Sequence, residues 1–197
     1  VVMVRNMEPL TLTLARNPLR EKIRNVFLLQ MAKRACKRAD RVIGVSNFVC
    51  EYLVNRWGIH PDKVATVYHG VGAAPSREEA AAGRGFLKRA SERPFIFAAG
   101  GLRPYRGYED VIGALALLRD DGIDLDLVIA GDVPRGMGFY KDSLESLSIK
   151  TGVKDRIVWP GNLDAKQMSW CFFHCAAFVV TSRIEACPNT VLEAMSH

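Results

Sequence analysis

PFIFAAGGLRPYRGYEDVIGALALLRDDGIDLDLVIAGD, residues 94–132, holds the unit from which the rest of the chain can be read. An apolar run of strand length (94–100) passes through a glycine-rich turn into a helical pattern over 108–121, and a second apolar run (124–131) follows at once. Apolar runs without polar alternation suit strands buried on both faces. The order then repeats: helix 139–151, strand 156–161, helix 164–175, strand 177–182, and a further helix opened by Pro188-Asn189-Thr190. Strands alternating with helices of roughly 10–15 residues predict right-handed βαβ units, and so an α/β fold with a Rossmann-like, doubly wound parallel sheet. Ligands of such sheets bind beyond the carboxyl ends of the strands. Each turn singled out below follows a strand, so all of them share one edge.

Upstream, residues 73–93 turn small and polar and read as a linker with a short helix at 86–90. This divides the chain into 1–72, the end of one α/β domain, and 94–197, a second. Within the first part VVMVRNM (1–7) resembles the end of a strand, and 19–39 forms a helix with Lys and Arg filling its last turns. Strand 41–45 follows, then a helix 47–57 capped by Ser46 and closed by Gly58, and strand 63–68. Ser is a strong N-cap, and Gly at the position after a helix accepts the left-handed conformation that ends it. The last helix breaks off at His197 about two turns in, and no segment precedes residue 1 to pair with its strand, so the chain reads as cut at both ends.

Composition narrows the function classes. With 197 residues, 49% of them hydrophobic and 24% charged, the chain has the makings of a globular core. No apolar run reaches the roughly 18–20 residues of a membrane-spanning helix, and no signal-peptide pattern opens the sequence. Five cysteines, an odd number without a disulfide framework, suit a reducing compartment, so a cytoplasmic location is expected. The net charge of +6 is local: residues 1–41 hold ten Lys or Arg against three Asp or Glu. That basic stretch is either a solvated face or an attraction to anionic lipid headgroups on the inner face of a membrane. Nucleic acid is not expected as a partner, because no aromatic-interleaved basic patch accompanies the charge. Cys171, His174 and Cys175 have a metal-like spacing, yet zinc takes about four ligands and no second pair supports them, so they read as residues of a packed helix. No metal and no cofactor is called for.

Three turns and one terminal stretch carry candidate chemistry. In the turn 100–107, GGLRPYRG, paired glycines let the backbone approach a ligand, and Arg103 and Arg106 add fixed positive charge that suits phosphate. Its spacing matches neither G-x-G-x-x-G nor the P-loop. Gly131-Asp132 ends the next strand. In the third turn, 159–164, Asp164 caps a helix and Leu163 either borders a base or touches nothing. The terminal stretch 181–197, TSRIEACPNTVLEAMSH, sets Glu185 and Glu193 eight positions apart, with a helix start at Asn189 and Thr190 between them. Free amides at a helix start attract anions such as a diphosphate. The pattern points to a pocket for a phosphate-bearing sugar donor with a carboxylate at each end.

Taken together, ADRVIGVS, HGV, GGLRPYRGYEDVIGA, LVIAGD, RIVWPGNL and SRIEACPNTVLEAMSH resemble, in order, the retaining glycosyltransferases of family 4 with the GT-B fold. Glu185 and Glu193 fit that family's E-x(7)-E motif. The resemblance runs from about Asp40 onward and implies a nucleotide-diphosphate-sugar donor, with a glycan or lipid-linked acceptor in polysaccharide or glycolipid synthesis. It implies Arg106 on the diphosphate with Arg103 nearby, backbone amides of Asn189 and Thr190 assisting, Glu193 on the ribose, Glu185 on the transferred sugar, and Leu163 beside the nucleobase. In this family the departing phosphate itself takes the acceptor proton, and no dedicated metal is needed. Two positions depart from the pattern: Gly101 stands where Arg is frequent, and Pro188, which lacks an N–H, where Gly is frequent. The competing expectation is a non-catalytic module that binds a nucleotide or sugar phosphate; a nucleotide-sugar epimerase is a third.

Overall fold

The computed structural model describes residues 1–8, 18–81 and 93–197; the helix expected at 86–90 lies outside them. The chain divides into two compact units, Val1–Gly70 with Ile184–Asn189, and Val71–Arg183 with Thr190–His197.

The first unit contains β1 (Val2–Val4), α1 (Leu19–Arg38), β2 (Val42–Gly44), α2 (Asn47–Trp57) and β3 (Val64–Thr66), with the strands parallel in the order β1-β2-β3. The Ser46 side chain caps α2 by accepting from the Val49 amide, and Gly58 closes it at φ 65°. Val42, Val49 and Leu53 are fully buried in its core, and Ala186, from the distant segment 184–189, joins them. Helix α1 contributes only Cys36, with Leu29 and Ala32 beside it. About 150° around the helix, given 100° per residue, Ile23 and Phe27 are each 64% exposed and Val26 and Met31 about half exposed.

The second unit holds α3 (Arg77–Ala81), β4 (Phe95–Ala99), α4 (Tyr108–Asp120), β5 (Asp126–Ala130), α5 (Gly138–Lys150), β6 (Ile157–Gly161), α6 (Ala165–His174), β7 (Ala177–Phe178) and most of α7 (Asn189–Met195). All four strands are parallel, in the order β6-β5-β4-β7. In strand sequence this is 3-2-1-4, the arrangement of a Rossmann half with its switch point between β4 and β7. Both faces of the sheet are covered. Ile96, Ala98, Leu127 and Ile129 point to one side, under α4 and α5. Phe95, Phe97, Val128 and Ala130 point to the other, under Trp170 and Cys171 of α6. The period of two sends alternate residues to opposite layers, which is why the centres of β4 and β5 are apolar on both faces. Truncating Ile129 or Leu115 to Ala would open a cavity between layers at a cost of about 2–5 kcal/mol.

Two elements differ from expectation. Part of the stretch read as a linker is helical: Ser76 and Glu79 cap α3 reciprocally, the Ser76 amide donating to Glu79 at 2.8 Å and the Glu79 amide to Ser76 at 3.3 Å, and Ala80 is fully buried in the α6 layer. Strand β7, expected over 177–182, is assigned to two residues only. The Val179 amide still reaches the Phe97 carbonyl at 2.8 Å, but beyond it Thr181 and Arg183 bond to the turn after β4 instead of to the ladder.

Candidate functional site

The switch point is lined by two segments, the turn after β4 and the segment after β7. The first is shaped by glycine. Gly100 has φ 141°, and a Cβ there would lie 2.9 Å from Cζ of Arg106, whose guanidinium therefore rests against the bare backbone. Arg106 ends a 3-10 turn, Pro104–Arg106, that starts from Arg103, whose carbonyl accepts the Arg106 amide at 2.9 Å. Its guanidinium lies 5.3 Å above the Tyr105 ring, and Nη1 is 3.4 Å from the Ser182 hydroxyl.

Several further bonds join the two segments. Thr181 Oγ1 donates to the Arg106 carbonyl at 2.8 Å, and the Arg183 amide donates to the Tyr105 carbonyl at 2.7 Å. Gly107, at φ 65°, brings α4 so near that a Cβ would sit 2.5 Å from the Thr181 carbonyl oxygen. Arg183 reaches Asp110 at 2.5 and 2.9 Å and Glu109 at 3.7 Å, and the hydrogen bond to Asp110 raises its pKa further. Behind the turn, the Tyr108 hydroxyl donates to the Gly100 carbonyl at 2.8 Å. Tyr140 accepts from the Tyr108 amide at 3.2 Å and donates to Glu109 at 2.7 Å. Burial, then the bond to Glu109, pushes the Tyr140 pKa up, so this phenol keeps its proton and its role as donor. The result is a positively charged side chain held rigidly at the carboxyl edge, the kind of group that stabilises a departing phosphate.

The second and third turns are linked by a hydrogen bond from Asn162 to Asp132. Beside them a pocket of about 160 Å³ is lined by Leu102, Ile129, Gly131, Asp132, Lys141 and Trp159, among others. Leu163 is half-buried and packs on the α6 layer. The next residue forms a capping box: Asp164 accepts from the Gln167 amide and Gln167 from the Asp164 amide, both at 2.9 Å.

Glu193 is half-buried on α7. Its carbonyl is met by His197 Nδ1 and Ser196 Oγ, each at 2.7 Å, while His197 Nε2 lies 2.9 Å from the Ser169 hydroxyl on α6. Because a carbonyl only accepts, Nδ1 carries a proton. The chain terminus described here is thereby pinned to α6. Arg103, Arg106, Leu163, Thr190 and Glu193 all belong to the second unit, whereas Glu185 and Asn189 belong to the first. There the Ser46 hydroxyl donates to the Ala186 carbonyl at 2.6 Å.

Thr181, Ser182, Tyr108 and Tyr140 were not singled out from the sequence. The T-S-R run before Glu185 was a readable signal for the first two only once β7 is known to lie beside β4. Among the described residues no cluster of three His, Cys, Asp or Glu could hold a metal ion. Cys171 is fully buried, its thiol pushed up to about 12 by burial, and His174 bonds the Trp170 carbonyl. A Cβ at Gly101 would make only ordinary contacts, with Pro134 Cγ at 3.6 Å and the Asp132 carbonyl at 3.7 Å.

The family model described as Glycosyl transferases group 1 matches residues 82–197, and that described as Glycosyltransferase Family 4 matches residues 6–75. A Bacillus subtilis protein called uncharacterized glycosyltransferase YqgM is 26% identical over 169 residues, 86% of this chain and 43% of the relative. Among solved structures, Anabaena Alr3699/HepE in complex with UDP-glucose is similar at a TM-score of 0.77 and 18% identity, over 99% of this chain and 50% of that one. A sucrose-phosphate synthase from Thermosynechococcus elongatus is similar at 0.70 and 21%, over 93% of this chain and 43% of that one. The chain thus spans about half the length of the relatives it matches. It belongs to the glycosyl transferases group 1 family, with the fold of the GT-B glycosyltransferases.

Proposed function

We propose that the full-length protein is a retaining glycosyltransferase that moves a sugar from a nucleotide-diphosphate-sugar donor to a glycan or lipid-linked acceptor in polysaccharide or glycolipid synthesis. The observation that carries this reading is Arg106, seated on Gly100 and tied to Ser182 at the switch point of a 3-2-1-4 sheet, in a chain of this family. Anabaena Alr3699/HepE, which has the same fold, binds UDP-glucose, which suits a nucleotide-sugar donor. In this reading Arg106 and Arg103 neutralise the diphosphate, Glu193 holds the ribose and Leu163 borders the base. Glu185 contacts the sugar, and the amides of Asn189 and Thr190 assist. Retention follows from attack on the face the phosphate leaves, with that phosphate as base.

The test is a screen of UDP-, GDP- and ADP-sugars against the complete protein, with Arg106→Ala alongside. Turnover of one donor, cut at least about a hundredfold by Arg106→Ala, is the expected result. Nucleotide binding without turnover by the complete protein would leave a binding module instead. For location we propose the cytoplasmic membrane surface. The exposed side of α1 combines Ile23, Phe27 and Met31 with Arg20, Arg24, Arg34 and Arg38, a chemistry complementary to an anionic bilayer.

A further inference from the structure

Segment 184–189 is flanked on both sides by residues of the second unit, yet packs within the first. Ala186 is buried in that core with Ile184 and Cys187 packed against it, and the Ser46 hydroxyl donates to the Ala186 carbonyl at 2.6 Å. The same hydroxyl accepts from the Val49 amide at 3.3 Å to cap α2. A hydroxyl has one proton and two lone pairs, so both jobs are filled at once, the proton going to Ala186 and a lone pair to the helix. An N-cap needs only the acceptor half of this arrangement. The donor half is surplus to the helix, and it is spent on the residue beside Glu185.

We infer that Ser46 is a positioning residue: by holding the Ala186 carbonyl it sets where the Glu185 carboxylate stands. The inference rests on the proposed contact between Glu185 and the transferred sugar. Ser46 and Glu185 are 139 positions apart in sequence, yet lie in the same unit.

Substitutions separate the two halves of the hydroxyl. Asp accepts as well as Ser at an N-cap but has no proton to donate, Gly lacks both at little capping cost, and Thr keeps both. Amide hydrogen exchange is measured on the full-length protein. Ser46→Asp is expected to speed exchange in 184–189 about tenfold, the scale of one hydrogen bond, while Asn47–Trp57 exchanges as before. Ser46→Thr should leave both unchanged. If Asp perturbs the fold, Ser46→Gly repeats the test. Unchanged exchange in 184–189 with both Asp and Gly overturns the anchor. With the donor found in the screen, Ser46→Asp should lower kcat about tenfold without altering the Kd for UDP, and should cause no further fall in a Glu185→Gln background. A released segment with undiminished kcat overturns the positioning role. Full activity of Glu185→Gln would instead refute the assignment of Glu185, leaving the exchange result standing.

Discussion

Gly107 and Gly58 share a backbone conformation, φ 65° in both, and differ in what a side chain would meet. Around Gly58 there is nothing within 4 Å, so Gly58→Ala should cost only the backbone strain, about 1 kcal/mol. At Gly107 the Cβ would fall 2.5 Å from the Thr181 carbonyl, backbone that cannot swing aside. Gly107→Ala should therefore destabilise the second unit by clearly more, and weaken binding of whichever nucleotide the donor screen finds by separating Arg106 from Ser182. Denaturation curves and a titration of both variants with that nucleotide check this. Gly101→Arg would set its Cβ in ordinary van der Waals contact with no left-handed backbone to strain, and is expected to tighten binding of the nucleotide found in the screen. Unchanged affinity would mean that Arg103 and Arg106 already saturate the phosphate. Titration offers another residue-scale test. Burial raises Cys171 from 9.0 to about 12, so above pH 9 the unfolded chain loses a proton that the folded chain keeps. The stability this group contributes is whole below pH 9 and is lost as the pH rises toward 12. Urea unfolding at pH 8 and pH 10 should show a lower midpoint at the higher pH, and Cys171→Ala should reduce the difference.

Among elements, the capping box on α6 is exposed and self-contained. Asp164→Ala should cost about 1 kcal/mol, read as faster amide exchange in the first turn of α6, with the sheet unaffected. This box, the cap at Ser46 and the closing Gly58 were legible in the sequence because each is a local device whose residues lie within four positions. Strands β4 and β5 were legible for a different reason: both faces are buried, so their apolar runs are continuous apart from Asp126 at the start of β5. Helix α3 had an equally local signal, Ser76 with Glu79, but its alanine-rich surroundings lack an apolar period and read as a linker. Arg106 could be picked out from its turn, whereas its partner Ser182 could not. Strand order is a property of the folded sheet, and only the adjacency of β4 and β7 joins residues 76 positions apart. The departure of β7 from its ladder has the same origin, since the competing partners, Tyr105 and Arg106, come from a distant turn. The placement of Ile184–Asn189 in the first unit was equally invisible, because the Ser46 hydroxyl and the core residues it packs on lie far away in the chain.

At the scale of the molecule, charge is concentrated near one end: ten Lys or Arg against three acidic residues in positions 1–41. If α1 docks on anionic lipid, the protein should co-sediment with phosphatidylglycerol vesicles at low salt and be released as the Debye length falls to about 8 Å near 0.15 M. Phe27→Glu should abolish retention, while vesicles of neutral lipid should retain little of either protein. Failure of the wild type to bind anionic vesicles at low salt would remove the membrane from its partners.

The assignment of Ile184–Asn189 to the first unit also bears on how the protein can be taken apart. The backbone passes from one unit to the other three times, after Gly70, Arg183 and Asn189. Dividing the chain after Gly70 would not separate two domains: the upstream piece would lack Ala186 from its core, and the downstream piece would carry that residue with nowhere to bury it. Conversely, a single protease cut near Gly70 should leave both fragments eluting together under native conditions, because Ala186 of the downstream piece is buried in the core of the upstream one.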